Sequence, residues 1–270
     1  LQVYKDFFKW IGKPEMLKAG KNRQLEYTDL APLAYLHIAL SGNTPRYRVK
    51  HLLIDEMQDY TPIQYRVIQK LYPCRKTILG DANQSVNPYG SSTADTIMKA
   101  FAKGEVMKLC KSYRSTFEIT NFAQKIQTNG ELQPVERHGK QPDVLQFQNM
   151  EDQISGIIDL ISSFRISGYK SLGIICKTEL QAKEMMENLQ PHTGEIYFLS
   201  NQSPAFVKGI IVTSAHMAKG LEFDEVIVPQ ADRVNYHSEI ERNMLYVAVT
   251  RAMHKLSLTY CGKQSELIPA

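Results

Sequence analysis

Residues 52–59 read Leu-Leu-Ile-Asp-Glu-Met-Gln-Asp, an apolar strand running directly into two adjacent carboxylates. Open α/β sheets place their ligands at the C-terminal edge of their strands, so acids at that point are positioned for chemistry. Asp55 is suited to hold Mg²⁺, directly or through water, and Glu56 to take a proton from an attacking water. This is the Walker B arrangement. A lone Asp-Glu pair is often no more than a solvated strand end. Here it belongs to the longer string Asp-Glu-Met-Gln-Asp, and four further motifs follow in order.

Residues 79–86, Leu-Gly-Asp-Ala-Asn-Gln-Ser-Val, come after the next strand-like run. Gly80 lets the chain turn tightly, and Asp81 and Gln84 fall at the same sheet edge as Asp55. The Gln84 amide both donates and accepts, which suits a γ-phosphate sensor. Alone, the string reads equally well as a polar turn. Arg114 lies in Tyr-Arg-Ser-Thr, between a strand and a capped helix. Arg251 lies in Tyr-Val-Ala-Val-Thr-Arg-Ala, inside an otherwise apolar helix. An arginine in such a setting needs an anionic partner, because unpaired burial of charge is costly. The partner is either a nearby carboxylate in a salt bridge or a γ-phosphate whose developing charge the arginine neutralises.

Residues 213–224, Thr-Ser-Ala-His-Met-Ala-Lys-Gly-Leu-Glu-Phe-Asp, follow the apolar run Ile210-Ile211-Val212. Lys219 and Gly220 offer a positive charge and a close backbone approach, and Glu222 can accept from a ribose hydroxyl. His216 taken alone is an ordinary structural histidine.

The elements that must position these residues alternate strand and helix, which implies largely parallel sheets. Strands are expected at 51–55, 76–80 and 105–109, then at 143–147, 171–176, 195–199, 209–213, 225–229 and 256–260. Capping boxes announce helices at Thr61–Gln64, Ser115–Glu118, Thr178–Gln181 and Ser238–Glu241. Ile154, Ile157, Ile158 and Ile161 recur at helical spacing and predict a core-facing helix. Residues 1–50 look helical, with Leu30, Leu33, Ile38 and Leu40 as core positions. The polar, aperiodic stretch 131–142 is expected to be a linker between domains at 1–130 and 143–270. Cys74, Cys110, Cys176 and Cys261 show no CxxC or metal-ligand spacing and are expected to be reduced thiols in a cytoplasmic protein. No apolar run approaches the ~20 residues that cross a bilayer, so no membrane partner is expected. A net charge of +4 permits nucleic-acid contact without arguing for it.

Taken together, these five blocks resemble the UvrD/Rep-like superfamily 1 helicases over roughly residues 50–260. The resemblance implies two RecA-like domains with ATP in the cleft between them, the first domain incomplete here. It implies Mg²⁺ on Asp55, water activation by Glu56, γ-phosphate contacts from Gln84, Arg114 and Arg251, and a ribose contact from Glu222. Ser214 and His216 match positions associated with the nucleic-acid strand. Tyr89, in Asn87-Pro88-Tyr89-Gly90, keeps an aromatic face for stacking DNA bases where the family usually shows Tyr-x-Trp-Arg.

Two departures qualify the resemblance. No GxxxxGK[ST] occurs, so the phosphate cradle is expected upstream of Leu1, in an N-terminal part of the same protein. Only about a hundred residues separate Arg114 from Lys219, room for a core domain but not for a large inserted one. With the wording of residues 54–64, Ile-Asp-Glu-Met-Gln-Asp-Tyr-Thr-Pro-Ile-Gln, this looks most like the HelD (helicase IV-like) branch, whose implied partner is RNA polymerase or its nucleic acids. A DNA repair helicase and a non-hydrolysing partner-binding module are the alternatives.

Overall fold

The computed structural model describes residues 1–17, 25–42, 45–85, 94–99, 101, 104–128, 132–203 and 208–269. These fall into two units, Leu1–Val106 and Met107–Ala270, and each has parallel β-structure, as the strand–helix alternation predicts.

In the first unit, α1 (Gln2–Trp10) and α2 (Tyr27–Ser41) precede β1 (His51–Ile54), α3 (Pro62–Leu71), β2 (Arg75–Ile78) and the short α4 (Ala94–Met98). β1 and β2 pair in parallel, from His51 opposite Arg75 to Ile54 opposite Ile78. The crossover between them is α3. Its start is dictated locally: Thr61 and Gln64 form a reciprocal capping box, and Pro62 takes the first helical position, where a missing N–H costs nothing. Tyr65 of α3 is fully buried with Ile54 and Ile97, and its hydroxyl donates to Met57 O at 2.7 Å, tying the helix to the loop after β1. Leu30 and Leu40, expected in the core, are exposed instead. Leu33 and Ile38 are half-buried.

In the second unit, β3 (Lys111–Ser112) pairs with β4 (Gln133–Pro134), and α5 (Phe117–Ile126) lies between them in sequence. Then come β5 (Asp143–Phe147), α6 (Met150–Ile166), β6 (Leu172–Cys176), α7 (Glu179–Thr193), β7 (Tyr197–Leu199), β8 (Ile210–Ser214), β9 (Phe223–Val228), α8 (Glu239–Val249) and β10 (Ala252–Cys261). The last six strands form one parallel sheet in the order β5-β10-β9-β6-β8-β7. Alternate residues of the central strands serve opposite faces. Ile174, Cys176, Val212 and Ile227 pack with Ile157 and Ile161 of α6 and Met185 and Leu189 of α7. Ile175, Ile211, Val226 and Val228 pack with Ile119 and Ala123 of α5 and Leu245 and Val249 of α8. Covered on both faces, β6 and β8 are buried throughout, which is why they read as unbroken apolar runs.

Two local expectations need correction. Residues 105–109 do not form a strand, and Val106, Met107 and Leu109 are exposed. The first helix of the second unit is capped by Thr116, not Ser115, because the Ser115 hydroxyl donates to Ala252 O at 2.6 Å. By contact, the two compact units meet at Val106–Met107. The Tyr-Arg-Ser-Thr segment therefore lies in the second unit, held there by Ser115 and by α5, whose Ile119 and Ile126 are buried in the core of the six-stranded sheet.

Glu241 anchors the start of α8. Burial alone would raise its carboxyl, but N–H donors from His237 (2.9 Å) and Ser238 (3.0 Å) and the Lys177 ammonium (3.0 Å) outweigh that and hold it down at about 2. A carboxyl depressed in the folded state stabilises above its ordinary value of 4.5 and loses that contribution as pH falls towards 2. Denaturant titrations of the protein between pH 5 and pH 2 are expected to show the second unit weakening across this window, and Glu241→Gln to flatten the dependence.

Candidate functional site

The β1–β2 register brings the two acidic strings of the first unit to one sheet edge. Beyond the paired strands the chains stay zipped: Leu79 N–H donates to Ile54 O and Met57 N–H to Leu79 O, both at 2.8 Å. Asp55 is exposed, and its Oδ1 accepts from Glu56 N–H at 2.8 Å. An accessible carboxylate at a strand end fits Mg²⁺, which binds through one or two carboxylates, waters and substrate phosphate oxygens. Glu56 adopts a left-handed backbone conformation (φ 54°, ψ 50°), which a residue with a side chain holds only at a cost. Its Oε2 accepts from Gln58 Nε2 at 2.7 Å. Asp81 accepts from Asn83 N–H (2.9 Å) and from Gln84 Nε2 (3.1 Å), and this shapes the turn that follows β2.

Gly80 is required by a close approach. A Cβ there would lie 2.4 Å from Gln58 Oε1 and 2.6 Å from Met57 N. The Met57 backbone cannot give way without breaking its bond to Leu79. Gly80→Ala is expected to destabilise the first unit by about 1–3 kcal/mol, read as a lower denaturation midpoint by circular dichroism.

In the second unit, residues distant in sequence meet around Leu221–Phe223. Arg114 Nε lies 2.6 Å from Glu222 Oε1, both side chains partly exposed. Arg251 is buried. Its Nη1 donates to Leu221 O (3.3 Å), its Nε to Val247 O (3.1 Å) and its Nη2 to the Thr250 hydroxyl (3.2 Å). Arg251 was expected inside a helix, but α8 ends at Val249 and Arg251 follows the cap residue Thr250. Phe223 N–H donates to Arg251 O at 2.9 Å, so the arginine's backbone and its guanidinium both grip the segment carrying Glu222. The two arginines thus converge on one short stretch beside a carboxylate.

Ser214 ends β8 and is buried, its hydroxyl accepting from Met217 N–H at 3.4 Å. His216 is exposed, Lys219 is half-buried, and Gly220 takes a positive φ of 80° in the turn that leads to Leu221. Tyr89 lies outside the described residues. All four cysteines are free thiols, and among the described residues no cluster of three metal-ligating side chains occurs. No described helix is long and apolar enough to cross a membrane.

Two residues with structural command of the site were not singled out by sequence reasoning. Asp224, directly after the Glu222–Phe223 pair, accepts from Lys170 N–H, Ser171 N–H and the Ser171 hydroxyl, all at 2.9 Å, and so fixes the start of β9 against β6. Gln58 lies within the acidic string yet is fully buried. The signal available for it was chemical: one amide among carboxylates, able to donate and accept at once.

Comparison with known proteins follows the same division of the chain. The UvrD/REP helicase N-terminal domain matches residues 16–103, and the UvrD-like helicase C-terminal domain matches residues 209–259. DNA helicase II of Haemophilus influenzae is 36% identical over 88 residues, 30% of this chain and 12% of that protein. The ATP-dependent DNA helicase UvrD2 of Mycobacterium tuberculosis is 31% identical over 86 residues, 30% of this chain and 12% of that protein. Among solved structures, the C-terminal domain of a possible DNA helicase from Lactobacillus plantarum is 35% identical with a TM-score of 0.50, covering 58% of this chain and 91% of that one. The chain spans about a third or less of the length of the curated relatives it matches.

Proposed function

Because the chain belongs to the UvrD-like superfamily 1 family of ATP-dependent DNA helicases, we propose that residues 1–270 carry the hydrolytic half-sites of a DNA helicase or translocase motor. The observation that carries this reading is the first-unit sheet edge, where Asp55, Glu56, Asp81 and Gln84 are gathered by one parallel strand pair. Asp55 would hold Mg²⁺, and Mg²⁺ would neutralise phosphate charge. Glu56 would accept the proton of the attacking water. Gln84, Arg114 and Arg251 would contact the γ-phosphate, with the arginines stabilising charge that builds up as the bond breaks. Glu222 would take the ribose hydroxyl, flanked by Lys219 and Gly220, while Ser214, His216 and Tyr89 would contact the DNA strand.

No GxxxxGK[ST] occurs in residues 1–270, so the phosphate cradle would come from elsewhere in the protein. Purified residues 1–270 are therefore expected to bind nucleotide weakly and hydrolyse it negligibly. Steady-state hydrolysis by this piece that Glu56→Gln removes would show the cradle to be dispensable and the reading wrong.

The sequence Asn87–Gly90 favours a second reading of the partner. Gly90 cannot make the phosphate contact of the family's arginine, which points to the HelD-like use of ATP on RNA polymerase. The full-length ATPase should be compared with single-stranded DNA, duplex DNA and core RNA polymerase. Strong stimulation by single-stranded DNA with duplex unwinding supports the UvrD-type motor. Stimulation by polymerase alone overturns it in favour of the HelD type.

A further inference from the structure

We propose that Gln58 is a positioning residue for hydrolysis, its buried carboxamide holding Glu56 against the turn after β2 so that the water-activating carboxylate and the γ-phosphate sensor form one hydrogen-bonded unit. Gln58 is 0% exposed, so its amide must find partners within the protein. Both arms go to functional strings. Nε2 donates to Glu56 Oε2 at 2.7 Å, and Oε1 accepts from Asp81 N–H at 3.2 Å. The orientation of the amide follows from its partners, since an ionised carboxylate only accepts and a backbone N–H only donates. From Asp81 the line continues, because its carboxylate accepts from Gln84 Nε2 at 3.1 Å. Glu56, Gln58, Asp81 and Gln84 are thus linked end to end.

The surrounding backbone is built to keep this link. Glu56 sits in the left-handed region, a conformation that persists where neighbouring contacts over-determine it. Gln58 supplies one such contact from the side chain and Asp55 another at the backbone N–H. Gly80 lacks the Cβ that would strike Gln58 Oε1, so the turn can approach the amide closely enough to bond it. Tyr65, also fully buried, braces the same loop from below through Met57 O. A solvated glutamate would sample several rotamers. This one is held at a fixed place on the sheet edge before substrate arrives, and a base displaced by about 1 Å loses on the order of 10²-fold in rate.

The inference rests on Glu56 being the general base, and the test separates the two. In the full-length protein, Gln58→Met keeps the side-chain volume and removes both hydrogen bonds. Its kcat is expected to fall by about 10–100-fold, with KM and the affinity for a fluorescent ATP analogue within about threefold. In a Glu56→Gln background the same change should lower the residual rate by less than about twofold, because a residue acting through Glu56 has nothing left to position. Gln58→Glu keeps the acceptor for Asp81 N–H but sets a carboxylate against Glu56. It should lose at least as much kcat as Gln58→Met, and it carries the same cycle if Gln58→Met fails to fold. Equal fold-losses in both backgrounds, or an unchanged kcat, overturn the proposal and leave Gln58 as a packing residue. Normal turnover by Glu56→Gln alone overturns instead the assignment of the base.

Discussion

Glu56→Gln in the full-length protein is expected to lower kcat by about 10²–10⁴-fold, the usual contribution of a positioned general base, while ATP and Mg²⁺ still bind. The substitution removes the proton acceptor and little else. Asp55, the proposed Mg²⁺ ligand, is a separate carboxylate whose bond to the residue-56 backbone N–H is untouched. A glutamine at position 56 can still meet the Gln58 amide through its carbonyl oxygen, so the loop after β1 should keep its shape. The variant should therefore accumulate as an ATP-bound species, visible as retained fluorescence on titration with a labelled ATP and as loss of phosphate release in a single turnover. Wild-type phosphate release would remove Glu56 from the chemistry and return the acidic string to a solvated strand end.

The strand–helix alternation was legible because it is a local signal repeated many times. β5 occupies the residues its pattern predicted, and β6 and β8 fall within a residue of theirs; in β6 and β8 burial on both faces leaves a continuous apolar run. The capping boxes at Thr61 and Thr178 were readable for the same reason: a string of four residues suffices to define them. What escaped was settled by contacts distant in sequence. Ser115 looks like a helix cap until Ala252 claims its hydroxyl, and the ion pair of Arg114 depends on Glu222, about a hundred residues further along the chain. Residues 105–109 have the apolar content of a strand yet take no strand geometry, since composition does not supply a partner. Gln58 is the sharpest case. Its neighbours in the string were legible as acids, but its own task depends on the β1–β2 register, which delivers Asp81 N–H to its other side.

The second large effect is expected at Arg251, where stability and catalysis must be separated. Arg251 is 1% exposed and spends its guanidinium on Val247 O, Leu221 O and the Thr250 hydroxyl. Arg251→Ala would leave Leu221 O without its donor, leave Val247 O with the Thr250 hydroxyl at 3.0 Å alone, and open a void, so the second unit should lose stability, at about 1–3 kcal/mol for the unsatisfied group with the void adding to it. A fall in rate for that variant would be ambiguous. Arg251→Lys keeps a positive charge and most of the volume but cannot reproduce a planar fork reaching several acceptors. It is expected to melt closer to wild type than Arg251→Ala, yet to lose on the order of 10³-fold in kcat with a much smaller change in ATP affinity, as for an arginine that acts on transition-state charge. The convergence of Arg251 and Arg114 on Leu221–Glu222 gives the expectation a second arm. Arg114 is partly exposed, so Arg114→Ala should cost little stability while still lowering kcat. Turnover by Arg251→Lys at the wild-type rate, with Arg114→Ala equally active, would assign both guanidiniums to holding the Leu221–Phe223 segment and remove them from the reaction.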